Sequence, residues 1–392
     1  MRFNPPLSRR ISRHFIIRLV TLLTVLSALQ PIVLLADTGG NSINQLLNLP
    51  IPQTIEFCGE KVPLTREDVL ERLDHELVVI LGSPVITTTW FKRIPRYFPM
   101  IERIITHKGL PQDLKYVALI ESSLRANSVS SAGATGPWQF MACTGDSCGL
   151  ERNSWRDKRR DWQEATEAAI SHLADLRKSL GSWPNALAGY NAGATKISSA
   201  MNSQLEKDFY GLRLPRETER YVFRAIAAKL IVENPSLYGI RLEGARFYGP
   251  EPLTEVTLNN ARRNISVAVV AEVAGVSYRR FLELNPAIVG KEIPAGVHRL
   301  RIPRENAALF DTAITRMLQT SPAPASKPPA NPNPDTKPPA TTSADYVVRP
   351  GDTLNSIARK HGLRLQTLLE LNNLTPKSVI KAGQKLTVRS AN

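Results

Sequence analysis

Residues 321–340 contain eight prolines separated by Ala, Ser, Asn, Asp, Thr and Lys. No helix or strand runs through such a tract, because proline fixes φ and removes the backbone donor at every second or third position. The chain must therefore fold as at least two bodies joined by a semi-rigid extended spacer. At about 3.1 Å per residue the spacer reaches about 60 Å. The 392 residues leave room for two or three domains. A composition 42% hydrophobic and 22% charged supports real cores and excludes disorder throughout.

The N-terminus reads as an address. Arg2, Arg9, Arg10, Arg13 and Arg18 precede an uncharged apolar run, Leu19–Ala36. A basic head before such a run is an export signal, either cleaved after Ala36 or retained as an anchor. It is the one stretch of near-spanning length, so a polytopic membrane protein is excluded. No cysteine lies near Ala36 for a lipid anchor at that site. The chain carries 50 Lys+Arg against 35 Asp+Glu, a formal charge of +15. That excess favours an anionic partner without choosing among nucleic acid, membrane surface and cell-wall polymer.

Beyond the spacer lies a module at about 345–389. An offset of 87 residues carries Gly275 onto Gly362, Leu282-Glu283-Leu284-Asn285 onto Leu369-Glu370-Leu371-Asn372, and Ala295-Gly296 onto Ala382-Gly383. The coincidences predict a duplicated unit of about 40 residues. The copies part company at their start, where Gly351-Asp352-Thr353-Leu354 faces Asn264-Ile265-Ser266-Val267. The second copy reads as strand 346–348, two helices and strand 385–388.

Residues 65–235 are helical in pattern. Thr65 with Asp68 predicts a capped helix ending at Leu81, and Asp161 with Glu164 a capping-box start. Ala169, Ile170, Leu173, Leu176 and Leu180 recur at helical spacing. A short helix is expected over 184–192, stopped near Gly193, and another from Pro215 with Tyr221, Ala225 and Ala228 on one side.

The chemistry is expected around Glu121. A helix over 111–124 places Glu121 on the face of Leu114, Val117 and Ala118. Desolvation there raises a carboxyl pKa toward neutrality and makes a proton donor. The plainer reading pairs Glu121 with Arg125 at the helix end. The small-residue segment 130–136 then leads into Pro137-Trp138-Gln139-Phe140, two aromatics and an amide, which suit either a sugar cleft or a packed turn.

At this point a resemblance becomes specific. Glu121-Ser122, Ser130, Gly133, Gly136 and Gln139, then Ala186–Gly193 with its Tyr190-Asn191-Ala-Gly motif, then Glu217-Thr218 with Tyr221 resemble the ordered motifs of soluble-lytic-transglycosylase-type domains. Gly351-Asp352-Thr353-Leu354 and the Leu371-Asn372 turn are similar to LysM hallmarks, and the order of parts is similar to that of the D-type membrane-bound members. The resemblance implies a mainly α, lysozyme-like (α+β) catalytic domain over 105–235. It would follow a signal or anchor (1–36) and a helical extension (37–104). A connecting segment with a degenerate LysM-like repeat (236–303), a helix remnant with the spacer (304–344) and a βααβ LysM domain (345–389) complete the order.

The resemblance further implies peptidoglycan as substrate, cut between N-acetylmuramic acid and N-acetylglucosamine to leave 1,6-anhydro ends. Glu121 would be the single acid/base and Ser122 its orienting neighbour. Ser130 would hold the muramyl N-acetyl group. Gly133, Gln139, Tyr190, Asn191, Glu217 and Tyr221 would line the cleft. Gly351, Asp352, Thr353, Leu354, Asn372 and Ile380 would bind glycan in the LysM module. The implied setting is the periplasm of a Gram-negative bacterium, with membrane association through the N-terminus.

A lysozyme-type hydrolase on the same fold, an enzyme acting on chitin-like glycans, and a non-catalytic wall-binding protein remain the alternatives. No nucleic-acid module is recognisable. No metal or cofactor is expected, since the six histidines show no ligand spacing.

Three further segments have readings. Gly145-Asp146-Ser147-Cys148-Gly149 spells a nucleophile elbow, which needs a strand before it and a helix after it. The context is helical, so a serine hydrolase is not expected. Cys143 and Cys148 are either a disulfide or free thiols. The basic run 156–160 reads as a solvated face rather than a contact for anionic wall, and the aromatic-basic run 90–98 as packing against the catalytic domain rather than a contact for glycan or membrane.

Overall fold

The computed structural model describes residues 43–260, 263–320, 344–349 and 352–388, apart from 362, 364, 376, 377 and 379. The N-terminal basic-apolar segment, the proline tract, Gly351 and Gly362 lie outside the described residues. The chain divides into two units, 1–321 and 322–392.

The first unit is mainly helical. A short helix α1 (Ile43–Leu46) and a two-stranded ribbon, β1 (Glu56–Phe57) with β2 (Glu60–Lys61), precede the large helices. These are α2 (Glu67–Leu81), α3 (Pro84–His107), α4 (Lys115–Ser122), α5 (Ala142–Ser147), α6 (Trp162–Leu180), α7 (Trp183–Ala192), α8 (Ala194–Gln204) and α9 (Arg216–Glu233). Their apolar faces share one core that includes Leu73, Ile101, Val117, Ile170, Leu187 and Ile226. The core is the helical domain that the pattern of 65–235 predicts.

Caps explain the boundaries. Asp161 accepts from the N–H groups of Gln163 and Glu164 and opens α6, as expected. Gly193, at φ 92°, ends α7 in a conformation that favours glycine. Pro215 precedes α9, and Tyr221, Ala225 and Ala228 are all buried along it. Two boundaries differ from expectation. Helix α2 begins at Glu67 without a side-chain cap from Thr65, because Asp68 is drawn to Arg66 and Arg72 instead. Helix α4 stops at Ser122 rather than 124, because Ser123 and Leu124 turn left-handed at φ 52° and 58°. Helix α3 fixes that turn: Trp90 Nε1 donates to Ser123 Oγ at 3.0 Å and Arg93 to the Ser123 carbonyl at 2.8 Å. Trp90, Phe91 and Phe98 are buried, so the aromatic-basic segment packs as expected.

The rest of the first unit is a small α/β module. Strand β3 (Leu253–Asn259) pairs antiparallel with β6 (Val297–Pro303), and β4 (Ile265–Ser266) with β5 (Glu292–Ile293). Helices α10 (Val267–Val273), α11 (Tyr278–Leu284) and α12 (Ala307–Thr320) complete it. Phe310 and Ile314 of α12 join the same core as Val267, Phe281 and Leu300, so α12 belongs to the module rather than to the spacer. Its loop after α11 docks on the helical domain. Asp157 N–H donates to the Ala287 carbonyl at 2.7 Å, and Val289 and Gly290 N–H donate to the Trp155 carbonyl at 2.8 and 3.1 Å. Trp155 meets His298 edge-on at 4.9 Å, and Arg301 pairs with Asp161 at 3.1 Å.

The second unit holds β7 (Ala344–Val347), α13 (Leu354–Lys360), α14 (Leu365–Leu371) and β8 (Lys385–Val388), with β7 antiparallel to β8. This is the expected βααβ order. Ile357, Leu368, Leu386 and Val388 form its own core.

Among the described residues no single helix is long and apolar enough to cross a membrane.

Candidate active site

Glu121 sits on the last turn of α4, and Tyr221 on the second turn of α9 reaches it. The Tyr221 hydroxyl donates to Glu121 Oε1 at 2.6 Å. The predicted partner does not: Arg125 turns back to the Ser122 carbonyl. Glu121 keeps some exposed surface while its carboxyl is packed round by protein. Burial pushes its pKa up from 4.5 to about 7. The Tyr221 hydrogen bond and the Arg224 charge oppose that rise, and the Glu217 charge adds to it. The group is therefore part protonated at neutral pH, as a general acid needs.

Arg224 connects the second carboxylate. It bonds Glu217 at 3.1 Å and approaches Glu76 at 3.6 Å. Arg220, one turn earlier, also pairs with Glu76, whose residue is fully buried. Sequence reading missed Glu76. Its signal was the same as that of Glu121: it falls on the apolar stripe of Val69, Leu73, Leu77 and Ile80.

Two tyrosines face the acid from different helices. Tyr190 of α7 donates to the Trp138 carbonyl at 2.8 Å and packs edge-on against Phe140. Burial and the nearby Glu121 charge hold the Tyr190 and Tyr221 hydroxyls well above the usual tyrosine range. Both stay neutral donors. Asn191 is exposed and joins α9 through Thr218, whose hydroxyl donates to Asn191 Oδ1 at 2.9 Å.

The loop 128–140 forms the adjoining wall. Ser122 does not bond Glu121. Its buried hydroxyl donates to the Pro137 carbonyl at 2.8 Å and ties the loop to the end of α4. Ser130 and Gly133 are exposed, and Ser130 Oγ accepts from Ala134 N–H at 3.0 Å. Gln139 lies at φ 49° and its amide donates to the Gly136 and Ser128 carbonyls at 2.7 and 3.2 Å. The two aromatics are core, not a sugar platform. Trp138 is fully buried with Nε1 on Thr166, and Phe140 is buried beside it.

The basic run 156–160 is also corrected. It is not a solvated face, because Arg159 points inward. It is buried, pairs with Asp157 through two bonds of 2.9 and 2.7 Å, and donates to the Phe140 and Gly133 carbonyls. Arg156 and Lys158 pair with Glu164. The loop is held from behind by this arginine, and Gly136 is pressed on the Arg159 backbone so closely that a Cβ would stand 1.8 Å from its carbonyl oxygen.

Residues 142–147 form a helix with no strand before it, so the G-x-S-x-G spelling is no nucleophile elbow. Cys143 and Cys148 are unpaired, as is buried Cys58. Among the described residues no cluster of His, Cys, Asp or Glu has metal-binding geometry.

In the second unit, Asp352 accepts from the Tyr346 hydroxyl and Arg349 N–H, both at 2.8 Å, and so shapes the turn into α13. Thr353 is exposed, and Leu354 and Ile380 pack on the module core. Asn372 is spent on structure: it donates to the Leu368 and Thr387 carbonyls and accepts from Thr387 N–H.

Comparison with known proteins agrees with these parts. The "Transglycosylase SLT domain" family profile matches residues 99–212, which stops short of Tyr221. The "LysM domain" matches 346–389, and the "Lytic transglycosylase MltD, LysM-like domain" matches 257–317, including most of α12. The chain is 29% identical over 306 residues to "Membrane-bound lytic murein transglycosylase D" of Escherichia coli (strain K12), and equally to that of Escherichia coli O6:H1. Each match covers 76% of this chain and 64% of the relative, so the chain spans less than two thirds of the length of these relatives. A crystal structure of an inactive mutant of lytic transglycosylase Slt from Pseudomonas aeruginosa aligns with 36% of this chain and 24% of its own, at 18% identity and TM-score 0.27. By its domains, then, the chain carries an SLT-type domain and two LysM-type modules, and it is similar in sequence to the membrane-bound lytic murein transglycosylases D.

Proposed function

We propose that this protein is a peptidoglycan lytic transglycosylase with Glu121 as its single acid/base. One observation carries the reading. The Glu121 carboxyl is desolvated to a pKa of about 7 and oriented by Tyr221, while the neighbouring carboxylate, Glu217, is engaged by Arg224. Ordinary glycosidases divide their work between two free carboxylates, and this arrangement favours one.

Tyr221 occupies Glu121 Oε1, so the acidic proton sits on Oε2. It passes to the oxygen leaving on N-acetylglucosamine as the muramyl C1–O bond breaks. The carboxylate then removes the proton from the muramyl 6-hydroxyl as that oxygen closes on C1. No water is consumed, and the 1,6-anhydro product and the cut glycan together have the mass of the substrate. Tyr190, Asn191, Gln139, Ser130 and Gly133 surround the sugar as cleft groups.

The second unit binds glycan through the turn at 352–354, and the tether raises the local concentration of substrate at Glu121. The N-terminal basic-apolar segment directs the chain to the cell envelope, where its substrate lies, and the periplasmic and membrane-associated setting follows from that reading.

The test is digestion of purified peptidoglycan by the full chain and by Glu121→Gln, with products read by mass spectrometry. We expect anhydro ends from the wild type and a loss of about 10²–10⁴-fold in the variant. Reducing ends, one water heavier, would make it a hydrolase and return Glu217 to the mechanism. Wall binding without products would leave a binding protein.

A further inference from the structure

A cavity of about 920 Å³ opens where the helical domain meets the first LysM-type module. It lies within the range of ligand sites. Glu121 is not part of its wall, but the wall begins just past it, at Leu124, and continues to Val129 on the approach to Ser130. The other side is built from α3, α11 and β6.

Its charge is unbalanced. Arg93, Arg96, Arg103, Arg125, Arg280 and Arg301 line it, against Glu251 and Glu283. Glu251 is taken by Arg96 and Arg280, Glu283 by Arg279 and Arg280, and Arg301 by Asp161. Arg93, Arg103 and Arg125 have no carboxylate partner among the described residues. Arg93 is half-buried, with one Nη on the Ser123 carbonyl, and it feels the like charge of Arg125. Arg93 is partly desolvated beside a like charge, a cost that an anionic ligand would offset, while Arg103 and Arg125 stand exposed at the rim, free to meet it. Apolar surface from Tyr97, Met100 and Leu284 completes the wall.

We infer that this cavity binds the carboxylate-bearing stem peptide of a muramyl residue next to the one being cut. The inference rests on the proposed activity for its substrate. A stem peptide carries more carboxylates than amines and short apolar side chains, which matches three uncompensated guanidiniums beside apolar surface. Its attachment to the sugar ring places it beside the glycan cleft, where the wall at 124–129 runs.

Two measurements test it together. The first compares wild type with the double variant Arg103→Gln/Arg125→Gln, both exposed positions, on peptidoglycan and on the same glycan stripped of its stems by an amidase. The expected result is a KM three- to thirty-fold higher for the variant on intact peptidoglycan and no change on stripped strands. Equal KM values for the two proteins on both substrates would overturn the inference. The second titrates amidase-released stem tetrapeptide into the full-chain Glu121→Gln protein by calorimetry, with inorganic phosphate as comparison. This binding needs no turnover, so it stands or falls separately from the catalytic reading. Saturable peptide binding lost with Arg103→Gln/Arg125→Gln supports the site. No peptide binding, or phosphate binding as tight, would overturn it.

Discussion

Asn285 and Asn372 perform one task in two modules. Each sits after the second helix, donates to a carbonyl one turn back, and exchanges two hydrogen bonds with the final strand: Asn285 with Arg301, Asn372 with Thr387. The strand partners are offset by one residue relative to the rest of the repeat. Ser266 and Thr353 likewise cap the first helix of each copy. Beyond this shared frame the copies diverge. In the first, the loop at 287–290, which corresponds in sequence to 374–377 of the second, is consumed by Trp155 and Asp157. The second ends a proline-rich spacer and is a unit of its own. The same fold is thus a brace against the helical domain in one place and part of a separate unit in the other.

The sharpest way to break this contrast is at Gly290. A Cβ there would lie 2.8 Å from Trp155 Cα, where the second copy has Lys377. Gly290→Val should destabilise the first unit by about 3 kcal/mol and leave the second unit unfolding at its own denaturant midpoint. A single shared shift in both transitions would mean the units are not independent.

Asn285→Ala and Asn372→Ala should each cost about 2–3 kcal/mol, because each strips backbone groups of buried partners. The first change should lower the transition that carries Trp138 fluorescence. The second should act only on the small module, followed by its amide exchange.

Acid titration offers a third handle. The folded pKa of Glu121, about 7, stands above its ordinary 4.5, so the native state binds the extra proton. Stability of the first unit therefore falls as pH rises from about 4.5 through 7. Glu121→Gln should remove that fall and be more stable than wild type by roughly 1–3 kcal/mol above pH 7. Asp352 in the second unit is held below 3.8 by the Arg349 N–H and the Tyr346 hydroxyl. Its stabilisation is present above that ordinary value and is lost as pH falls. Opposite pH slopes for the two transitions are the expected pattern in chemical denaturation. Tyr221→Phe should move the descending limb of kcat/KM to higher pH, since the lost hydrogen bond was lowering the Glu121 pKa.

The smallest effect belongs to Arg301→Gln. Its pair with Asp161 bridges module and helical domain with Asp161 largely covered, and its loss should cost about 1 kcal/mol.

Much of this was legible before any coordinates. Asp161, Gly193 and Pro215 mark helix ends by their own chemistry, and Glu121 is singled out once its apolar stripe is joined to the ordered motifs at 122–139, 186–193 and 217–221. Three features were not legible. Arg159 reads as one charge in a basic run, because the Gly133 and Phe140 carbonyls that draw it inward are backbone atoms, which leave no mark in a sequence. Trp138 and Phe140 read equally as a sugar cleft or a packed turn, because spacing in a loop does not tell which side meets the core. Ser122 takes the Pro137 carbonyl rather than Glu121, and that partner is a backbone atom fifteen residues on, which leaves no mark in a sequence. Glu76 was within reach of the same stripe argument, with Arg220 and Arg224 four apart on α9 to receive it.

Gly136 touches the Arg159 main chain with no room for a Cβ, while the Arg159 side chain grips the carbonyls on either side of it. Wall and anchor are thus one mechanical part made from distant stretches of sequence. In descent such a part resists piecemeal change: a lineage that loses the glycine must reshape the segment around 159 in the same step, or lose the cleft.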